Sequence, residues 1–322
     1  MRLLVTGGAG FIGSHFVRSA LRGSGTGDVE RLVVLDKLTY AGNPANLAPV
    51  AEDPRLELVR GDIIDPGAVE EALAGCDAVV HFAAESHVDR SIGGALDFVR
   101  TNVVGTQVLL DAALRRGVEK FVHVSTDEVY GSIAEGSWSE DRPLEPNSPY
   151  AASKASSDLL ARAAHRTHGL PVCITRCSNN YGPYQFPEKV IPLFVTRLLT
   201  GGTVPLYGSG TNVRDWLHVD DHCRGIDLVL RSGRPGETYN IGGGTELTNR
   251  ELTVRVLAEV GADWSRVREV ADRPGHDLRY SVDITKISRE LGYAPRRDFA
   301  EGLAETVRWY RDRADWWRPL LA

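Results

Sequence analysis

Almost from its first residue the chain runs through an apolar stretch, Leu3 to Thr6, straight into GGAGFIG and then into a helical pattern from Ile12 to Arg22. Strand, glycine turn and helix in that order leave few architectures open. Gly8, Gly10 and Gly13 fit G-x-G-x-x-G, and Gly7, Gly10 and Gly13 fit G-x-x-G-x-x-G. Either spacing describes a tight turn whose backbone approaches a pyrophosphate. The N-terminus of the next helix then offers free N–H groups to that anion. Asp36 ends the second apolar run, about 20 residues beyond the loop, where a carboxylate binds a ribose diol and repels a 2′-phosphate. That favours NAD over NADP, with Lys37 next door softening the repulsion.

The same alternation continues. Candidate strands are Leu3 to Thr6, Arg31 to Asp36, Leu56 to Arg60, Ala78 to Phe82, Lys120 to Ser125 and Val172 to Arg176. Helical patterns at Ile12 to Arg22, Ala68 to Leu73, Leu96 to Arg116 and Tyr150 to His168 separate most of them. The strands are rich in Val, Leu and Ile without strict alternation, as in strands covered on both faces. A doubly wound parallel α/β sheet follows, with right-handed crossovers. After Arg176 the text turns Pro/Gly-rich (NNYGPYQFPEK, GGTVPLYGSG). We therefore expect a Rossmann domain over 1–176, with returning segments at about 213–241. A smaller α/β substrate lobe is expected from 177–212 and 242–322. Phe299 to Arg313 reads as an amphipathic helix, and Trp309, Trp316 and Trp317 as packing residues.

With 322 residues and 42% apolar content, both units can hold real cores. A net charge of −6 argues against a nucleic-acid binder that works by neutralising phosphates. No run approaches a membrane span, and MRLLVTGGAG is too soon glycine-rich for a signal peptide, so the cytoplasm is the expected location. Cys173 and Cys177 fall along one strand, about 13 Å apart, too far for a disulfide; with Cys76 and Cys223 they are expected to be reduced. His218 and His222 have metal-like spacing but lack the H-E-x-x-H glutamate, so they read as structural and no metal is expected.

Polar residues gather at strand ends, where ligands of open α/β sheets bind: Asp62 with Ile63, Ala83 to Ser86, and Ser125 with Thr126. Asp62 fits an adenine contact or a helix N-terminal acid equally well. Tyr150 and Lys154 stand four residues apart in SPYAASK, on one face of a helix that Ser148 can cap and Pro149 can start. A tyrosine that ionises near pH 10 needs help to act as a base. A nearby ammonium and a cationic nicotinamide would supply about 4 kcal/mol for a three-unit drop.

TGGAGFIG, AAESHVDRSI, STDEVYG, SPYAASK, CSNNYGPYQFPEK, NVRDW and DRPGHD together resemble the extended short-chain dehydrogenases/reductases that act on nucleotide sugars. Within them STDEVYG and DRPGHD resemble the dTDP-glucose 4,6-dehydratases, over essentially the whole length. The resemblance implies a reaction. Tyr150 takes the sugar O4 proton while C4 gives a hydride to NAD, Glu128 removes the acidified C5 proton, and Asp127 protonates the departing C6 hydroxyl. The hydride then returns to C6, so NAD stays bound. Thr126 and Lys154 complete the catalytic set. Neighbouring carboxylates tend to split their pKa values into an acid and a base. Both can face one sugar only if the chain leaves strand geometry by Asp127, so a turn or helix is expected at 127–128.

Cofactor contacts implied by the resemblance are Gly7, Gly10, Phe11, Ile12 and Gly13 at the loop, and Asp36, Lys37, Leu38 and Thr39 after the second strand. Asp62, Ile63, Phe82, Ala83, Ala84, Ser86, Thr101 and Asn180 join them, with Tyr150 and Lys154. Ser86, Thr126, Asp127, Glu128, Tyr150 and Asn179 would touch substrate. Lys189, Val190, Pro205, Tyr207, Arg214, Asn249, Asp272, Arg273 and His276 would surround its nucleoside diphosphate, the cations suiting two phosphates and Tyr207 a stacked thymine. The helices at 96–116 and 150–168 would build a homodimer through a four-helix bundle. Asn102, inside the first of them, marks a kink or a structural water. The alternatives are a 4-epimerase or decarboxylase of the same family, which has no use for the Asp–Glu pair, and a non-catalytic NAD sensor.

Overall fold

The computed structural model describes residues 1–23 and 29–321. The first strands are β1 (Arg2–Thr6), β2 (Arg31–Asp36), β3 (Leu56–Arg60), β4 (Ala78–His81), β5 (Lys120–Thr126) and β6 (Val172–Cys177). Short ones follow: β7 (Asn179–Tyr181), β8 (Val204–Tyr207), β9 (Val213–His218), β10 (Thr238–Ile241), β11 (Glu246–Thr248) and β12 (Val267–Val270). Seven of these form one sheet in the order β10-β6-β5-β4-β1-β2-β3, every pairing parallel. Strand order reverses between β1 and β4, and the crevice above that switch is where such sheets bind ligands.

Helices α1 (Phe11–Leu21), α2 (Pro66–Leu73), α3 (Val88–Gly93), α4 (Ala95–Phe98), α5 (Thr106–Arg116) and α6 (Pro149–His168) belong to the first half. The second half holds α7 (Val190–Leu199), α8 (Val219–Ser232), α9 (Asn249–Val260), α10 (Thr285–Leu291) and α11 (Phe299–Asp312). Phe16 and Val17 of α1 pack with Ile226 and Val229 of α8 on one sheet face; Leu109 and Leu110 of α5 pack with Val69 of α2 and Ala161 of α6 on the other. Each fully buried side chain of this size contributes about 1.5–3 kcal/mol. A third core gathers Tyr181, Trp216, Phe299, Tyr310, Trp316 and Trp317.

The stretch expected as a helix from Leu96 to Arg116 is helical throughout, from Ala95 to Arg116, but Val99–Gly105 is π-helical, between α4 and α5. Asn102 explains the wider turn: its amide donates to the Glu85 carbonyl and the Ser153 hydroxyl, and its carbonyl oxygen accepts from the Glu85 N–H. The side chain thus ties the helix to the loop after β4, and the wider turn accommodates it.

Two segments depart from the expected division. Of the returning stretch, α8 and β10 join the large sheet, but β9 pairs with β7 and β11 in a separate three-stranded sheet. Residues 285–293 also pack on the large sheet, because Ile287 and Tyr293 bury against it.

Candidate active site

Above the β1/β4 switch lies a cleft of about 470 Å³. Backbone shapes its floor. Gly7 has φ +69°, and a Cβ there would lie 2.6 Å from the Ala83 nitrogen; a Cβ on Gly13 would lie 2.3 Å from the Gly7 carbonyl oxygen. Gly10 starts α1 with no side-chain cap, so the first-turn N–H groups stay open to an anion. Asp36 accepts from the Ala9 N–H at 2.9 Å and the Leu38 N–H at 2.8 Å. Lys37 pairs with Asp62 at 2.6 Å rather than standing free. Two carboxylates against one lysine disfavour a 2′-phosphate. An uncapped helix, a cradle that any Cβ would fill and an acidic ribose end fit NAD.

Phe11, Ile12, Thr39, Ile63, Phe82, Ala83, Ala84, Ser86, Thr101 and Asn180 line the cleft with these residues. Leu38 does not: its N–H serves Asp36 and its side chain packs against the core around β1 and α1.

Beside the floor, β5 ends at Thr126 and a 3₁₀ turn takes over at Asp127–Tyr130. Thr126 caps that turn by accepting from the Glu128 N–H. Strand alternation therefore stops where two carboxylates need a common direction, and Asp127 and Glu128 both line the cleft with Tyr150. Asp127 is 2% exposed, and its Oδ2 has no hydrogen-bond partner among the described residues. Burial, then Glu128 and Asp215, push its carboxyl well above the usual range. Burial also raises Glu128, but Arg273, Lys189 and Arg214 pull against it. The two carboxyls are therefore held unequally, with burial and like charge acting on Asp127 and three cations offsetting burial at Glu128.

Ser148 caps α6 and Pro149 opens it, which places Tyr150 at the cleft and Lys154 one turn deeper. Lys154 donates to the Val124 carbonyl at 2.8 Å, and burial pulls its pKa down to about 8. Sequence spacing led us to expect an ammonium that lowers Tyr150. Within the protein alone the balance runs the other way: burial, Glu128 and Cys177 push the phenol up, with the Thr126 hydroxyl pulling against them. The lysine is desolvated along with its neighbour, so it is a weaker counter-charge than spacing suggests.

The opposite wall comes from the second half of the chain. Asn179, Lys189, Val190, Pro205, Tyr207, Arg214, Asn249, Arg273 and His276 all line the cleft. Lys189 donates to the Ser86 carbonyl at 2.7 Å, across the opening. Arg214 donates to the Asp277 carbonyl at 2.9 Å and lies 4.1 Å from the Tyr280 ring centroid. Arg273 approaches Asp89 at 3.4 Å while its Nε is buried without a partner, and the Asn179 Oδ1 is likewise unpartnered among the described residues. Three cations and unsatisfied polar atoms around one void suit a diphosphate. Asp272 lies off the wall: its carboxylate holds His276 at 2.6 Å and the Arg273 N–H at 2.9 Å, orienting two residues that are on it.

Sequence reading passed over Asp89, Glu188 and Tyr280, which line the same cleft. Asp89 accepts from the Tyr207 hydroxyl at 3.2 Å, and Glu188 accepts from the Tyr40 hydroxyl at 3.0 Å. AAESHVDRSI and FPEK held the two acids, but their partners lie far along the chain, Tyr207 at the end of β8 and Tyr40 after β2. Tyr280 lies one position past the arginine that follows DRPGHDL, with no local pattern to mark it. His218 caps α8, and His222 Nδ1 donates to Asn180 Oδ1, 2.9 Å away.

A model of the family described as GDP-mannose 4,6 dehydratase matches residues 4–306. A dTDP-glucose 4,6-dehydratase of Streptomyces niveus is 64% identical over 321 residues, 99% of this chain and 96% of that protein. The crystal structure of DesIV, a dTDP-glucose 4,6-dehydratase from Streptomyces venezuelae with NAD and dTDP bound, superposes with a TM-score of 0.98. It is 69% identical and is covered along 100% of its length, against 99% of this chain. A UDP-glucose 4-epimerase from Thermus thermophilus, in complex with NAD, gives a TM-score of 0.89 at 34% identity, covering 97% of this chain and 100% of that one.

Proposed function

The chain belongs to the dTDP-glucose 4,6-dehydratase family of extended short-chain dehydrogenases/reductases, and from that premise we propose how its residues carry the reaction. It is an NAD-dependent hydro-lyase that converts dTDP-D-glucose to dTDP-4-keto-6-deoxy-D-glucose and water. Bound NAD supplies the hydride acceptor for C4, the hydride returned to C6, and a positive charge beside Tyr150.

Tyr150 takes the proton from O4, with Thr126 hydrogen-bonding the same oxygen and Lys154 supplying a cation from below. Glu128 removes the C5 proton once C4 is a ketone, and Asp127 gives its proton to the leaving C6 hydroxyl. Lys189, Arg214 and Arg273 hold the diphosphate, Asn179 the sugar, and Tyr207 the base. The second half of the chain, with β9 and its Arg214, thereby selects the nucleotide sugar, and the large sheet holds the cofactor.

One observation carries this reading: the chain turns at Asp127 so that two adjacent carboxyls share the cleft with Tyr150, one more strongly held in its acid form than the other. Turnover of dTDP-glucose in deuterated water tests it. A dehydratase places solvent deuterium at C5 and loses the C6 oxygen. A 4-epimerase does neither, and a non-catalytic sensor binds NAD without turnover.

We also propose a homodimer through α4, α5 and α6. Leu96 is 60% exposed, Val104 48% and Leu159 53%, an apolar surface a monomer would leave in water. Sedimentation at micromolar concentration tests it, a monomer being the contrary result. Among the described residues no helix is long and apolar enough to cross a membrane; a cytoplasmic location is part of the proposal.

A further inference from the structure

Lys154 is 4% exposed, and the Val124 carbonyl is a neutral acceptor. An ammonium taken out of water needs more than that. The charged or titratable groups that interact with it are His81 from β4, His123 from β5, Asp158 from α6 and Cys177 from β6; Tyr150 lies one turn before it on α6, Arg176 stands against Asp158, and Asp127 and Glu128 act on Tyr150. Burial holds both imidazoles below their usual range and the Cys177 thiol above its own, so all three are uncharged at neutral pH. Asp127 and Glu128 turn toward the cleft.

That leaves Asp158. It is 1% exposed and follows Lys154 by four residues on α6, hence on the same helix face. Its Oδ2 accepts from Arg176 Nε at 2.9 Å. Arg176 in turn donates to the Tyr130 hydroxyl at 2.8 Å, and that hydroxyl donates to Asn240 Oδ1 at 2.9 Å. Against burial, Arg176 and then His123 hold the carboxyl down at about 2, so the group is an anion throughout the working range. The carboxylate is therefore fixed in place, with Arg176 on one oxygen and His123 Nε2 3.3 Å from the other, and Lys154 lies one helical turn back on the same face.

We propose that Asp158 is a positioning residue for the reaction: its carboxylate, clamped by Arg176, keeps Lys154 in the ammonium form behind Tyr150. The proposal rests on the assigned role of the Tyr150–Lys154 pair. A competing role for Asp158 is a structural tie between α6 and β6.

The test uses NAD-loaded enzyme carrying ¹³Cε-labelled lysine. The sequence has five lysines, so the spectrum is sparse, and Lys154→Arg identifies the signal. In Asp158→Asn the Lys154 midpoint should fall by about one pH unit or more. The alkaline limb of kcat should move down with it, while KM for dTDP-glucose stays put. Because that variant leaves Arg176 buried without an anion, Asp158→Asn/Arg176→Met, which removes both charges, is measured beside it. An unchanged midpoint in whichever variant folds overturns the proposal and leaves a structural tie. A lowered midpoint with an unmoved kcat limb also overturns it, by removing the catalytic pair that Asp158 would serve while leaving the electrostatic coupling intact.

Discussion

At the dinucleotide end of the cleft, backbone makes the site: Gly7 and Gly13 leave no room for a Cβ, Gly10 leaves a helix uncapped, and Asp36 is pinned by two N–H groups. At the sugar-nucleotide end, side chains make it. Lys189, Tyr207, Arg214, Asn249 and Arg273 come from separate segments, held by contacts such as Arg214 on the Tyr280 ring and Arg273 against Asp89. A backbone site tolerates no added atom but accepts side-chain variation around it. A side-chain site tolerates added atoms better than lost charge. Asp127 and Glu128 sit where the two ends meet, and they draw on both: a backbone turn for direction and distant cations for charge.

Substitutions at that junction should have the largest effect. Asp127→Asn/Glu128→Gln keeps the shape of both side chains and removes the acid and the base. We expect deoxysugar formation to drop by about a thousandfold or more, since each group contributes roughly 10²–10⁴. C4 oxidation should survive, so reduced NAD should accumulate at 340 nm after dTDP-glucose is added. Normal product formation by this variant would end the assigned roles. Next in size is Gly13→Ala. Its new Cβ would meet the Gly7 carbonyl oxygen, an overlap worth about 1–3 kcal/mol of stability. NAD affinity, read by calorimetry, should fall by more than the affinity for dTDP does.

The same contrast decides what a reader of the chain can see. Strand, loop and helix at 2–21 are contiguous, and glycine is the residue such a turn requires, so the pyrophosphate loop and Asp36 are legible from spacing alone. The departure from strand geometry at Asp127 was deducible too, because two carboxyls cannot share a face on a regular strand. The π turn at Val99–Gly105 was not: it depends on Asn102 reaching the Glu85 backbone and Ser153, contacts that periodicity does not encode. Nor was the Tyr150 environment, since spacing gives the distance to Lys154 but not how little water either one keeps. The sugar-nucleotide residues were legible only through resemblance to a family. Even with it, Asp89 and Tyr280 stay hidden, as does the hold of Asp272 on His276.

Arg273→Gln sharpens the comparison from the side-chain end. Loss of one charge-assisted contact costs about 1.5–3 kcal/mol, so KM for dTDP-glucose should rise about tenfold or more. NAD occupancy of the purified protein should not change. A fall in NAD occupancy equal to the rise in KM would mean the two ends are not separable.

The smallest expected effect concerns stability. Burial raises the Asp127 carboxyl in the folded protein above its unfolded value. Between those two values the folded state binds the proton and the unfolded state does not. Folding stability contributed by this group is therefore complete below the unfolded pKa, about 4, and is lost as pH rises through the folded one. Asp127→Asn removes that loss. Its Tm should exceed that of the unaltered protein at pH 7, and the difference should vanish near pH 4. An equal difference at both pH values would place its origin in packing. A Tm that rises while dehydration fails would show the protein keeping a costly buried acid because the leaving C6 hydroxyl needs its proton.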